Sequence, residues 1–476
     1  MRRLHCSPRF LLISFILLIA AWLPCGLAQT APTGAPPGLE QRLAALETAA
    51  KNTPAINAGD NAWMLVSSGM VLMMTAPGLI LFYGGLVRRK NVLGTMMHSL
   101  VLMALMSVLW AVFGYSIAFA EGNSLFGNPL QYFLLKNVGL APNADYAATI
   151  PHQSFMLFQM MFAIITPALI SGAVAERIRF KAYVLFMLGW SVLVYFPLAH
   201  VVWGKGGWFN WALGGSLPVL DFAGGTVVHV SSGIAALVCA MMVGKRTGYP
   251  REPMLPHNVV FSLIGTGLLW VGWFGFNAGS AVSAGTLATS AFAATHFSAA
   301  AGALSWGGIE WFLKGKPSVL GVASGMVAGL ATITPASGFV TVPSALMIGF
   351  AGGIVCYLAV SHLKVRFGYD DSLDVFGVHG VGSTVGLLLL GFTASADINP
   401  AIATAFQVNG KAVSLAGSLS QFVHQLEGVL ITAVWSGAVS WVLLKAIGAI
   451  TDLRVNEEDE SLGLDLSEHG ERAYND

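Results

Sequence analysis

The sequence predicts an all-α integral membrane protein of eleven transmembrane helices, arranged as two five-helix inverted repeats plus an eleventh helix. Three observations predict it: charge is scarce, apolar runs alternate with loops of alternating charge, and one polar pattern recurs in opposite orientations. Charged residues make up 10% of the 476 and hydrophobic residues 55%, with a mean hydropathy of +0.70. A soluble chain of this length needs about 25% charged residues to solvate its surface, so lipid must face most of this one. The 55 glycines suit helices packed closely within a bilayer. A net charge of +1 gives no reason to expect a nucleic-acid partner. Cys239 and Cys356 sit in apolar runs and read as small core residues; with Cys6 and Cys25 near the N-terminus, they suggest neither a disulfide framework nor a metal site.

The N-terminus reads as a processing signal over residues 1–28. Arg2, Arg3 and Arg9 precede the short apolar run Phe10 to Trp22, and Gly26-Leu27-Ala28 offers small residues for cleavage after Ala28. Cys25 suggests a lipoprotein site, which Pro24 fits poorly; an uncleaved first helix is the alternative. Residues 29–61, rich in Ala, Pro and Gly, read as a periplasmic linker with a short helix between Leu39 and Lys51.

A helix needs about 20 apolar residues to cross a bilayer. Such spans are expected to begin near Ala62, Gly94, His152, Ala182, Phe222, Asn258, Leu287, Ser318, Thr341, Asp374 and Gln421, within a membrane domain over 62–450. Loops after odd-numbered spans carry Arg88, Arg89 and Lys90; Arg177, Arg179 and Lys181; Lys245, Arg246 and Arg251; Lys314 and Lys316; Lys364 and Arg366. Loops after even-numbered spans carry only Lys136, Lys205 and Lys411. The positive-inside rule then puts the mature N-terminus in the periplasm and the C-terminus in the cytoplasm, as a cleaved export signal also requires.

Asp221 precedes His229 by eight residues in DFAGGTVVH, and Asp371 precedes His379 by eight in DSLDVFGVH. The first pattern opens the fifth span from outside and the second opens the tenth from inside, which is the arrangement of an inverted-repeat transporter. Each aspartate sits where it can cap a helix start; substrate binding is the other reading. Each histidine lies two turns deeper, where an unpaired polar group is costly and marks a functional site. His98, His200, His296 and His424 also fall in or near spans and read individually as core histidines. His229 and His379 differ because they occupy equivalent repeat positions and are flanked by glycine, so that they could meet on the pseudo-two-fold axis.

The stretches PGLILFYGGLVRRKNVL, AERIRF, DFAGGTVVH, GKRTGYP, GWFGFNAGS, GKPSVLG and DDSLDVFGVHG resemble the Amt/Mep/Rh ammonium transporter family, specifically its bacterial Amt branch. The likeness runs from about Asp60 to EHGERAYND at the end of the chain. It implies eleven helices in two inverted halves, a homotrimer with one pore per subunit, and residence in the bacterial inner membrane. By resemblance His229 and His379 are the paired pore histidines, and Phe162 and Phe276 the stacked phenylalanines that close the outer pore. Trp203, Phe162 and Ser280 match the ammonium recruitment site, and Asp221 the structural aspartate beside it. Asp371, Asp374 and Trp273 are taken as further structural residues near the site. No cofactor is implied.

These residues suggest a mechanism. Ammonium is drawn to the ring faces of Trp203 and Phe162, a contact worth about 0.5–2 kcal/mol, while Ser280 accepts one N–H bond. Any one aromatic alone would mean little, since Trp and Phe are common in membrane cores. The ion gives up its proton at the constriction and neutral ammonia passes the histidines, with or without a separate proton relay through them.

The tail over 451–476 is acidic at Glu457, Glu458, Asp459 and Glu460, and by resemblance it packs on the cytoplasmic face and supports docking of a PII-type regulatory protein. A solvated tail is the plainer reading. An ammonium sensor is the alternative function, although so short a tail leaves no room for a fused signalling domain. An ion antiporter would place carboxylates at the midplane, whereas Asp221, Asp371 and Asp374 lie near span ends. No nucleotide loop, nucleophile triad or metal cluster suggests an enzyme.

Overall fold

A computed structural model describes residues 56–474, together with Gly38. The expected signal peptide, most of the expected linker with its short helix, and Cys6 and Cys25 lie outside the described residues. The linker boundary moves: Ala58 to Asn61 form the first turn of a helix, because the Asn57 side chain accepts a hydrogen bond from the Asp60 N–H at 3.0 Å.

In chain order the long helices are α1 (Ala58–Leu86), α2 (Arg89–Phe119), α3 (His152–Val174), α4 (Phe180–Trp203), α5 (Gly225–Val243) and α6 (Val259–Gly279). They continue as α7 (Thr286–Lys314), α8 (Val319–Ile333), α9 (Val342–Phe367), α10 (Phe376–Thr393) and α11 (Leu419–Gly448). Nine of these, all but α7 and α8, are long and apolar enough to cross a membrane among the described residues. Helix α8 has 15 residues, and the 29 of α7 are rich in Ala, Ser, Thr and Gly, which lowers its hydropathy. The starts follow local chemistry. Asn258, Ser318 and Ser418 accept from the N–H groups three residues on, at 3.0, 2.9 and 3.1 Å, satisfying donors that an uncapped helix leaves free.

Wide, π-type turns interrupt α4 at Ser191–Tyr195, α5 at Gly225–Val230, α9 at Ala359–Leu363 and α10 at Phe376–Gly380. They therefore recur in helices five places apart, α4 with α9 and α5 with α10. Others interrupt α1 at Met74–Leu79, around Pro77, and α2 at Trp110–Gly114. Between α10 and α11 a hairpin pairs β1 (Gln407–Val408) with β2 (Lys411–Ala412) across Asn409-Gly410, both at positive φ as a tight hairpin turn requires.

Helix α3 is buried along almost its whole length and sits at the centre of the apolar core with α5. Large apolar side chains such as Leu304, Phe312, Val434 and Trp441 are exposed on the outer helices. That surface suits lipid or another chain, not water.

One end of the bundle is charged and ordered by ion pairs. Glu176, after α3, accepts from Arg88 Nε at 3.0 Å and Arg246 Nη1 at 3.0 Å. Arg246 also grips Asp370 through Nε and Nη2 at 2.9 and 2.7 Å. Arg177 is wholly buried and donates to the carbonyls of Gly244 and Asp370 and to Ser372 Oγ. The tail docks on this same end through α12 (Glu457–Leu462) and α13 (Leu464–His469). Glu460 accepts from Thr247 N–H at 2.7 Å and pairs with Arg454 at 2.5 Å, while Asp465 accepts from Gly94 N–H at 2.8 Å. Much of the tail is thus packed rather than freely solvated.

Candidate functional site

The fifth and tenth helices both begin with an aspartate, a loop and a wide turn that carries a histidine. Asp221 Oδ1 accepts from the N–H groups of Gly224 and Gly225 at 2.8 and 2.6 Å, and Oδ2 from Thr226 N–H at 2.7 Å and from the Thr226 hydroxyl. The chain turns there through Gly224 at φ +113°, a conformation that a side chain would strain. Asp371 repeats the cap more sparsely: Oδ2 accepts from Phe376 N–H at 2.8 Å, while the buried Oδ1 has no partner. Burial pushes the Asp371 carboxyl up to about 6, although Lys364 close by opposes this. Lys364 Nζ donates to the Asp371 carbonyl at 2.6 Å and to Asp374 Oδ1 at 2.7 Å.

These starts bring His229 and His379 together. Their Nδ1 atoms are 3.1 Å apart and their rings lie 5.1 Å apart at 13° to one another. Glycine permits the approach: a Cβ on Gly233 of α5 would fall 2.4 Å from Gly380 Cα of α10. A Nδ1–Nδ1 hydrogen bond needs one donor and one acceptor, so in the neutral pair one ring carries its proton on Nδ1 and the other on Nε2. His229 Nε2 is buried without a protein partner. Trp273 stacks on His229 at 5.6 Å and 21°, and its Nε1 is held by Thr334 Oγ1 at 2.9 Å.

Three cavities lie in series around this pair. The first, of ≈ 330 Å³, is bounded by Phe162, Trp203, Asp221, Ser280 and Asp145, among others. Phe162 and Phe276 lie with ring centres 4.2 Å apart and tilted by 33° beneath it, and Trp203 meets Phe162 edge-on at 6.0 Å. Trp203 Nε1 donates to the Asp221 carbonyl at 3.1 Å, which fixes the indole. The Ser280 hydroxyl donates to the Phe276 carbonyl at 2.9 Å, leaving its lone pairs free to accept. Past the phenylalanines a gap of only ≈ 10 Å³ contains His229, His379, Trp273 and Phe276 among aliphatic side chains. That is about the room one water needs. A third cavity of ≈ 210 Å³ follows, reached by His379 and bounded by Tyr83, Ser372 and Asp374.

The structure therefore gathers His229, His379, Phe162, Phe276, Trp203, Ser280, Asp221 and Trp273 along one line, with Asp374 at its far end and Asp371 capping α10. The other histidines sit elsewhere. His98 stacks on Tyr183 at 4.1 Å, His200 faces the carbonyls of Ala118 and Asn123, and His296 stacks on Trp270 at 5.3 Å. His424 lies 3.4 Å from Gln421 Oε1. Two groups of residues near the site were not singled out from sequence. Thr334, which holds Trp273, has no local signal. Arg88, Glu176, Arg246 and Asp370 brace the elements beneath the third cavity; all four lie in stretches that carry the resemblance, but nothing local shows that they pair. Among the described residues no group of His, Cys, Asp and Glu could hold a metal ion.

Residues 62–474 match the Ammonium Transporter Family. The chain is 48% identical to an ammonium transporter of Bacillus subtilis over 418 residues, covering 88% of this chain and 99% of the relative. It is 44% identical to an ammonium transporter of Aquifex aeolicus, covering 88% and 94%. Among solved structures it resembles Mep2 of Candida albicans, with a TM-score of 0.77, 34% identity, and 85% and 87% of the two chains covered. A structure described as a sensor Amt protein gives a TM-score of 0.77 at 28% identity, covering 86% and 98%.

Proposed function

This chain belongs to the ammonium transporter family, and from that premise we propose that it conducts ammonia through the three cavities in series. Ammonium is recruited in the first cavity against Trp203 and Phe162, with Ser280 accepting one N–H bond. The contact is weak, about 0.5–2 kcal/mol, which conduction needs because a tightly held ion would not leave. At the Phe162–Phe276 pair the ion gives its proton to water in the first cavity or to the histidine relay described below, since an ion entering the ≈ 10 Å³ apolar gap would forfeit its hydration at a cost of several kcal/mol or more. Potassium has no proton to lose and is rejected. Ammonia passes His229 and His379 and re-enters water in the third cavity.

The histidine pair also offers a proton path. Uptake at the bare Nε2 of one ring, transfer across the Nδ1–Nδ1 bond, and release from the other Nε2 would move a proton separately from ammonia. The observation that carries the reading is this pair, bonded at 3.1 Å in an apolar gap with room for about one water, between two roomier cavities. The matched π-type turns of α5 and α10 support inverted repeats, and α7 and α8 then complete eleven crossings. The basic loops support a cytoplasmic tail in a bacterial inner membrane, with the expected export signal ahead of the first crossing. The exposed apolar belt supports a homotrimer, and the docked acidic tail supports regulation by a PII-type protein.

A second reading, an ammonium sensor acting through such a partner, is favoured by the likeness to the sensor Amt protein. Purified protein on a supported membrane separates the two. Wild type should give a saturating current on ammonium pulses and none on potassium, and His229→Ala/His379→Ala should abolish that selectivity. Ammonia-driven pH change in liposomes without current would mean gas conduction alone. Identical flux and selectivity in the double variant would remove the histidines from the mechanism, and silence in both assays would favour the sensor.

A further inference from the structure

Two residues beyond Trp203 the chain presents Lys205 beside the first cavity. Its Nζ lies 3.0 Å from Asp145 Oδ2 and 3.3 Å from Glu121 Oε1. Its backbone N–H donates at 2.9 Å to the hydroxyl of Tyr146, which in turn donates to the Phe119 carbonyl at 3.0 Å. Asp145 and Tyr146 both border the cavity, so the lysine closes the loop that carries them onto the end of α4. Asp221, the other carboxylate there, is buried and spends both oxygens on N–H groups and a hydroxyl. The charge that an approaching cation feels at this side of the mouth is therefore that of Asp145 and Glu121, offset by Lys205.

We infer that Lys205 sets how strongly the first cavity attracts cations, by cancelling one of the two carboxylate charges it contacts, of which Asp145 borders the cavity and Glu121 lies behind the lysine. This deepens the proposed function and rests on that cavity being where ammonium is recruited. Without the lysine the three-residue cluster goes from one net negative charge to two. All three side chains are partly exposed, so the field acts through water and is screened by salt. A unit charge about 10 Å from the cation in water changes its occupancy by only about twofold. The lysine governs the concentration of ammonium at half-maximal rate, not the passage past the histidines.

The test is the initial rate of ammonium uptake into liposomes holding the full chain, at about 10 mM salt, where fields reach ~30 Å, and at about 1 M, where they reach ~3 Å. At low salt Lys205→Met should lower the half-saturating ammonium concentration about twofold with the maximal rate unchanged, and Asp145→Asn should raise it about twofold. Both shifts should vanish at high salt, and Lys205→Arg should match wild type. Equal half-saturation of Lys205→Met and wild type at low salt would overturn the inference. So would a shift that persists at high salt, or one that Lys205→Arg shares, since either would mean a loosened loop instead of a lost charge. Wild type without ammonium uptake would overturn the proposed function itself and this inference with it.

Discussion

Replacing Arg246 by leucine should destabilise the protein in a way that depends on pH. The guanidinium makes three charge-assisted bonds, one to Glu176 and two to Asp370, and the side chains of both carboxylates are fully buried. Glu176 keeps Arg88, so most of the loss falls on Asp370, which retains its bond from the backbone N–H of residue 246 at 2.8 Å. Removing one partner of a buried pair costs about 3–5 kcal/mol. With an unfolding entropy of about 2.1 cal/mol/K per residue over roughly 400 residues, that is a fall in Tm of about 4–6 °C. Burial raises both carboxyls, and in wild type the Arg246 bonds and charge override it and hold both below the usual range, with Arg88 adding to the effect on Glu176 and Arg177 to that on Asp370. Lowered folded values mean that these groups stabilise above their unfolded pKa and lose that contribution as pH falls through the folded values. In Arg246→Leu burial acts on Asp370 with less opposition and its folded value rises. The penalty then grows as pH climbs towards that value and is fully present near neutrality. Thermal unfolding in detergent, followed by tryptophan fluorescence, should show a Tm deficit at about pH 7.5 that shrinks at about pH 5. Adding Asp370→Asn should recover part of it at neutral pH. A deficit equal at both pH values, or below about 1 °C, would refute the argument.

Two further substitutions probe the helix starts. Asp221→Ala strips the acceptors from three backbone N–H groups and the Thr226 hydroxyl, at about 1–3 kcal/mol for each group left bare, so purified yield and Tm should fall together; Asp221→Asn keeps one acceptor oxygen and should fall less, and equal Tm values for the two would count against the capping role. Gly233→Val puts a branched side chain where even a Cβ lies 2.4 Å from Gly380 Cα, so it should abolish ammonium flux and lower Tm, and wild-type flux would show that α5 and α10 are not in close contact.

Sequence made some of this architecture legible and hid the rest for definite reasons. The eight-residue spacing from Asp221 to His229 and from Asp371 to His379 could be read because a doubled pattern distinguishes two histidines from the others in or near spans. Span starts were readable to within a few residues because apolarity over about 20 residues is a long signal. Helix α7 was harder, since Ala, Ser, Thr and Gly build a helix without raising hydropathy. The first two starts fall four and five residues ahead of the expected Ala62 and Gly94; at the first, Asn57, a good cap, sits at the end of a run of Ala and Pro that reads as linker. The π-type turns leave no composition signal, and the Arg246 pairings join residues 70 and 124 positions apart. No local pattern could have assigned those partners; the charges were visible and their geometry was not.

Pairing gives a physical reason for two histidines, each eight residues after an aspartate, to meet in this gap. A single imidazole in this gap would present two polar nitrogens to aliphatic and aromatic side chains, and each unpartnered buried group costs about 1–3 kcal/mol. Two imidazoles from equivalent positions satisfy each other's Nδ1 without solvent, and only the Nε2 atoms remain, one a donor and the other an acceptor. The polar character the site needs is thus kept at about half the cost of two isolated rings. The same economy constrains the proposed proton relay. Each proton that crosses the Nδ1–Nδ1 bond leaves both rings in the opposite tautomer, with the bare Nε2 now on the ring that has just released its proton. A second proton cannot follow in the same direction until the pair resets. Under the same proposal ammonia, as a neutral molecule, would meet no such requirement. Charge movement through this pair is therefore bounded by tautomer exchange, whereas gas conduction is bounded only by passage through the gap.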